Sequence, residues 1–448
     1  MRDYGIGRSL HGFGALHFFG LEHDCGVSSP RFAFTASLIF SFTFGVFADS
    51  SDWPRWRGSL DNGSAVMGGT LSRLDESAMA WKVELPGKGC STPIVVGNTL
   101  YLTVPIDGKD ALQSYDFNGK LLWQSVFGPE NPGKHRNGSG SNPSPASDGK
   151  AVFVVYKSGT LAAINLDGSS RWSTNLVERF GTVNLFWDFG SSPALTQKDV
   201  VVARMHNGES WLAAFDKQTG EIRWKTARDY EVPREVDNGY STPQVIQHNG
   251  SEAIMSWGAD HLTIHSAADG KLLWDCTGFN PDATPLWPAV ASPVLVKDTA
   301  VICFGRADKG VPRLYGVKVS GYGESTSRSH LWKRDEVSSF VPSPSAYKGL
   351  VYILSDRGQV ACVDPATGDA RWTVDLPRAS ANFYASPVIV DGVMYAARED
   401  GVVFVVRIEG GFELLSENKL DDHLIAGLVP ARGRMFVRGN MHLYCFGR

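Results

Sequence analysis

This sequence has no closely spaced cysteines. The six stand far apart, at Cys25, Cys90, Cys276, Cys303, Cys362 and Cys445, and no Cys-x-x-Cys or adjacent pair occurs. That spacing indicates neither a zinc cage nor a dithiol redox motif. A basic excess is missing as well. The formal net charge is −4, which gives no electrostatic case for nucleic acid. Long apolar runs are scarce: the richest, Phe32 to Phe47, has 16 residues, short of the ~20 that a membrane-spanning helix needs.

That run has another use. Arg31 precedes it, and Val46-Phe47-Ala48 puts small residues at the −3 and −1 positions of a signal-peptidase site. The expectation is export to the periplasm or cell envelope of a bacterium, cleavage after Ala48, and no stable membrane span after processing. A retained N-terminal anchor is the alternative. The residues before Arg31 are unlike a signal peptide, and Val27 is a candidate for an internal start. The chain then divides into a leader (1–48), an extension (49–78) and a repeat domain (79–448). Removing the leader leaves an odd number of cysteines.

What the sequence does have is a recurring hairpin. Ala214 to Trp224 reads A-F-D-K-Q-T-G-E-I-R-W. Asp216 can bond to amides further into the turn, and Gly220 can take positive φ without steric cost. Cys362 to Trp372 repeats it in the same frame, and shorter versions end at Trp123 and Trp172. The closing tryptophans are Trp81, Trp123, Trp172, Trp224, Trp274, Trp332 and Trp372, at spacings of 42, 49, 52, 50, 58 and 40. Between them falls a second marker, a serine or threonine before proline and then an apolar run. It occurs at Pro93, Pro145, Pro193, Pro243, Pro293, Pro344 and Pro387.

Each unit therefore holds four short strands, the content of one propeller blade. An eighth unit, Ala426 to Cys445, stops before a closing strand, while Met79 to Leu85 is a spare one at the other end. The expected fold is all-β, an eight-bladed propeller whose N-terminal strand completes the last blade. Closure of that kind leaves no open sheet edge. Seven blades with an extra strand pair is the alternative count. A sandwich needs no tryptophan at a fixed offset after Asp and Gly. A propeller of the Trp-Asp type would show that dipeptide at each strand end, and here Trp274 alone of the closing tryptophans is followed by Asp.

The A-x-D-x-x-T-G-x-x-x-W unit with its upstream Ser-Pro strand resembles the PQQ-like, quinoprotein-type β-propeller repeat. The resemblance runs from Trp81 to the C-terminus. It implies that each tryptophan stacks on the small residue opening its own motif and against the turn of the next blade, Trp224 on Ala214 and Trp172 on Ala163. The repeat is shared by quinoprotein alcohol dehydrogenases and by non-catalytic outer-membrane assembly factors of the BamB type, so it specifies function weakly. A dehydrogenase of this kind needs PQQ, a calcium ion and a carboxylate base, and usually a vicinal Cys-Cys, which is absent here. No catalytic residue, metal ligand or cofactor is carried over. A lipid-acceptor cysteine after the apolar run, as in the anchored assembly factors, is also absent. Trp53-Pro54-Arg55-Trp56-Arg57-Gly58 resembles the leader before many such propellers, either a clamp for a ligand or a plug packing its indoles on the ring.

Candidate binding residues lie on the loops leading into the Ser-Pro strands, which rim one mouth of the channel. They are His135, Arg136, Trp187, Phe189, Arg234, Tyr240, Trp287, Phe340, Arg378 and Tyr384. Aromatics with a few polar and basic groups suit a peptide, sugar or other small ligand; packing between blades is the competing role. His261 and His265 fall where a strand is expected and read as surface, and Asp421-Asp422-His423 reads as a solvated loop. The functional expectation is a monomeric, non-catalytic platform for a protein or small ligand in the cell envelope. The alternatives are a PQQ-dependent oxidoreductase and a sensor or ligand-binding module.

Overall fold

The computed structural model describes residues 51–305, 313–321, 323–324 and 329–447. The expected leader and its cleavage site lie outside them. Eight sheets, each with four antiparallel strands in blade order, make up the fold. Blade 1 is Ile94–Val96, Thr99–Ile106, Lys109–Asp116 and Leu121–Pro129. Blade 8 takes Val429–Ala431, Arg434–Arg438 and His442–Phe446, and its fourth strand is Met79–Glu84. The N-terminal strand thus closes the last blade, and the count is eight. Two sheets gain a short parallel strand: Ser64–Ala65 on the inner strand of blade 7 and Gly323–Glu324 on the outer strand of blade 4.

Burial within a blade follows from its neighbours. Middle strands are covered on both faces, so Ala151–Val155 and Asp199–Arg204 are buried throughout. Outer strands keep one wet face, and Met79–Glu84 alternates between half-buried and exposed. The repeat's tryptophans stand on these outer strands. Trp224 pairs with Ala214 and Trp172 with Ala163; Trp332 pairs with Gly316.

Across the gap, the indole meets the next blade's turn. Trp172 Nε1 donates to the Lys217 carbonyl at 3.0 Å, Trp224 to Ala267 at 3.0 Å and Trp332 to Pro365 at 2.8 Å. The turn glycine lies flat against the ring. A Cβ on Gly220, where φ is +73°, would sit 2.6 Å from Trp172. Asp216 fixes that turn by accepting the Gln218 and Thr219 amides at 2.8 and 3.0 Å. Cys362 and Cys445 face Trp372 and Trp81 in the small-residue position and are buried.

The Ser-Pro marker has its own role. The amide of the residue before each proline donates to the equivalent hydroxyl of the next blade. Thr92 donates to Ser144 at 2.9 Å, Ser144 to Ser192 at 2.9 Å, and Ser192 to Thr242 at 3.0 Å. Thr242 donates to Ser292, Ser292 to Ser343, and Ser343 to Ser386, each at 2.9 Å. Gly427 of blade 8 then donates to Thr92 at 3.1 Å. The circuit breaks at one step only, because Gly427 offers Ser386 no hydroxyl.

The extension crosses this ring. Trp53 exchanges backbone bonds with Val95 of blade 1 at 3.0 and 2.9 Å, and the Pro54 carbonyl accepts Ser147 of blade 2 at 2.8 Å. Further on, the Asn62 carbonyl accepts Ala346 of blade 6, and Gly63 accepts Ile389 of blade 7, both at 2.9 Å. Arg57 is buried between them and donates to the carbonyls of Pro344 at 2.7 Å and Pro387 at 3.3 Å. Burial pulls its guanidinium down to about 10, so it stays charged. Trp53 is 1 % exposed and belongs to the core shared by blades 1, 7 and 8.

Candidate functional site: the channel mouth

The loops leading into the inner strands surround a cavity of about 1010 Å³ at one mouth of the channel. Small-molecule sites run to about 300–1,000 Å³, so this is a large one. Trp56 borders it, with Arg57 over the ring at 5.6 Å. Trp56 also borders a second space of about 20 Å³, room for about one water.

Six of the residues expected at the rim border the cavity: His135, Trp187, Tyr240, Phe340, Arg378 and Tyr384. His135 meets Trp187 edge to face, centroids 4.9 Å apart. The Tyr240 hydroxyl accepts the Trp187 amide at 2.9 Å. Arg378 is exposed and paired with Asp375 at 2.9 Å. The other four lie elsewhere. Phe189 and Trp287 are buried in blade cores, and the Arg313 guanidinium lies 4.4 Å from the Trp287 ring centroid. Arg234 is exposed, its carbonyl accepting the Leu286 amide. Arg136 reaches Glu399 at 3.3 Å.

The polar loop of blade 2, residues 131–142, is strapped over the mouth by two buried carboxylates. Asp188 accepts the Lys134 and His135 amides at 2.9 and 3.2 Å and the Lys157 ammonium at 2.6 Å. Burial alone would raise this carboxyl, but Lys157 and the amides outweigh it and hold it below its usual range. Glu399 accepts Asn137 Nδ2 at 3.0 Å and the Asn382 amide at 2.9 Å. His423 closes the cluster on Asn137 Oδ1 at 2.9 Å. On the far wall, Asp356 is pushed up by burial while accepting the Phe340 and Val341 amides at 2.8 and 3.1 Å.

Asp188, Glu399 and the hydroxyl ring were not singled out from the sequence as site residues, and Trp56 only within the stretch read as a clamp or a plug. Their signal was there in part: one hydroxyl per repeat, always before proline. Its meaning needs the ring to be closed. The two histidines expected at the surface are not both there. His265 is fully buried, with Nδ1 against the Gly270 carbonyl and Nε2 against Thr263 Oγ1, both at 3.1 Å. His261 is half-buried, paired with Asp275 at 2.9 Å and stacked on Tyr230. Asp422 is no solvated loop residue either, since it accepts His442 Nδ1 at 3.1 Å and its side chain is 2 % exposed.

The sequence profile of the outer membrane protein assembly factor BamB family matches residues 51–275 and 317–414. The chain belongs to that family. This BamB-family propeller is 23 % identical over 306 residues to BamB of Escherichia coli K12, covering 66 % of this chain and 71 % of that one. It is also 23 % identical over 219 residues to the dehydrogenase subunit of the quinone alcohol dehydrogenase of Acetobacter aceti, but there it spans only 27 % of the relative. Among solved structures, BamB from Moraxella catarrhalis superposes with a TM-score of 0.58 at 14 % identity, covering 83 % of this chain and 99 % of that one. A europium-containing methanol dehydrogenase gives 0.67 at 11 %, covering 89 % and 98 %. These likenesses establish the fold.

The residues of the cavity do not fit the quinone and metal of the dehydrogenase branch. Four carboxylates, Asp188, Glu336, Asp356 and Asp375, border it against two guanidiniums, Arg357 and Arg378. With Asp188 paired to Lys157 and Asp375 to Arg378, the lining has no cationic surplus to hold the several carboxylates of PQQ. Among the described residues, no group of three or more His, Cys, Asp or Glu is placed to hold a metal ion.

Proposed function

We propose that this BamB-family propeller is a non-catalytic binding platform of the bacterial cell envelope, exported by its leader and cleaved after Ala48. It engages a protein or a smaller ligand at the mouth of the channel through His135, Trp187, Tyr240, Phe340 and Tyr384. One observation carries the reading. The carboxylates bordering the cavity are held by structural donors: Asp188 by Lys157, Asp356 by two amides, Asp375 by Arg378, and Glu336 by the Asp335 amide at 3.2 Å. A general base must reach a substrate proton; the two carboxylates set deepest, Asp188 and Asp356, have both oxygens engaged by the protein, while Asp375 and Glu336 are partnered and exposed. Family membership supports the same reading.

The test has two arms. Purified protein is supplied with PQQ and calcium and assayed for quinone absorbance and dye-linked alcohol oxidation; none is expected. In parallel, cross-linking in intact envelopes is expected to capture partners at the cavity face. Alcohol oxidation abolished by Asp356→Asn would overturn the platform reading. N-terminal sequencing of the mature chain is expected to begin at Asp49.

A further inference from the structure

We propose that the cavity is a saccharide site: a neutral sugar ring stacks on Trp56 while the hydroxyl circuit of the inner strands binds its oxygens. This names the ligand class of the platform proposed above and rests on that reading.

The hydroxyl circuit is the first observation. Thr92, Ser144, Ser192, Thr242, Ser343 and Ser386 all border the cavity. Each hydroxyl oxygen already accepts an amide from the blade before it or, for Thr92, from Gly427. Among the described residues no acceptor takes the hydroxyl hydrogens. All but Thr242 are nine-tenths buried or more. A hydroxyl so placed still has one donor to satisfy, and the circuit aims a set of neutral donors at whatever occupies the throat.

The second observation is the aromatic partner. Trp56 is held in place on both sides in sequence, through the Pro54 carbonyl and the Arg57 anchors, and borders the same cavity, with the Arg57 guanidinium over its ring. An indole face is electron-rich and attracts the polarised C–H bonds on one face of a pyranose. Tyr384 and Tyr240 border the cavity higher up, and the Gln359 amide lies on the wall.

The chemistry then narrows. The lining has no cationic surplus to hold an anionic sugar, which favours a neutral one. An extended peptide would need free backbone groups or apolar pockets. The amides before the prolines, Ser386 aside, are already engaged blade to blade, which leaves no backbone ladder for a strand to extend.

The mature wild-type chain would be screened on an array of neutral and uronic-acid oligosaccharides, with positives titrated by tryptophan fluorescence. Saturable binding of neutral sugars is expected, with quenching, and uronic acids are expected to bind less tightly. Trp56→Ala is expected to weaken binding about tenfold at unchanged melting temperature. Gln359→Ala, whose side chain makes no bond within the described residues, keeps the fold and weakens binding several-fold. Absence of saturable sugar binding, unchanged affinity in both variants, or a synthetic extended peptide binding where sugars do not would each overturn the assignment. If sugars fail while envelope partners still cross-link, the saccharide proposal falls and the platform stands. PQQ-dependent alcohol oxidation would remove the platform itself.

Discussion

Gly220 does two jobs that no other residue can combine. Its φ of +73° is strained for any side chain, and the space a Cβ would take is filled by Trp172. Trp172→Ala removes a large buried contact and should cost ~3–5 kcal/mol. Gly220→Ala should cost a comparable amount, although it adds one methyl group, because the indole must move. Equilibrium denaturation of both variants checks this; a near-neutral Gly220→Ala would mean the turn yields. The sequence made this pairing half visible. Asp216, Gly220 and Trp224 could be read as a hairpin from the residues, whereas the contact of Gly220 with the tryptophan of the blade before came only as an implication of the family resemblance.

Two buried titratable groups at residue scale push stability in opposite directions with pH. Burial raises Asp110 to about 7, with Ser158 donating to one of its oxygens as partial relief. Its unfolded value is about 3.9. The folded state therefore binds the proton more tightly, and stability falls as pH rises from about 4 to about 7, then levels. Asp110→Asn should raise the melting temperature at pH 8 and gain little at pH 4. Burial lowers His265 to about 4. Its contribution is complete above about 6.5 and is lost as pH falls towards 4. Melting curves of Asp110→Asn and His265→Gln across pH 4–8 separate the slopes.

The elements cohere through the hydroxyl circuit, and its one gap makes a prediction. A Cβ on Gly427 would meet nothing closer than Thr92 Oγ1 at 3.5 Å, and its φ lies outside the left-handed region. Gly427→Ser should supply the missing acceptor for Ser386 and restrict the unfolded chain, a gain of about 1 kcal/mol. Ser192→Ala should cost a similar amount by leaving the Ser144 amide without its partner. Thermal melts read both. Strand type and order were legible in the sequence because apolar runs and turn residues recur in register. The site was less so. Phe189 and Trp287 sit on loops at the mouth yet turn into blade cores, and sequence spacing does not say which way a loop side chain faces. Trp56 is placed by bonds to blades far along the chain, to which no local pattern points.

For the whole molecule, closure is the decisive feature. Met79–Glu84 pairs with His442–Phe446, and Arg438 reaches across to the carbonyls of Ser91 and Thr103 at 3.1 and 2.7 Å. A chain lacking residues 51–84 should leave the edge of blade 8 unpaired and the channel unplugged, and it should associate through that edge. Light scattering and size-exclusion chromatography of that truncation test this; a stable monomer would show that closure is dispensable.

The crossing of the channel by residues 52–65 also sets an order of events. A ribosome delivers these residues first, yet their partners at Pro344, Pro387, Ile389 and Arg432 come last. Trp53 and Pro54 can pair early, with Val95 and Ser147, but Arg57, Asn62 and Gly63 must wait while several hundred residues are made. Contacts so distant in sequence slow folding, and the segment carries two tryptophans, a natural point for a chaperone to hold the newborn chain.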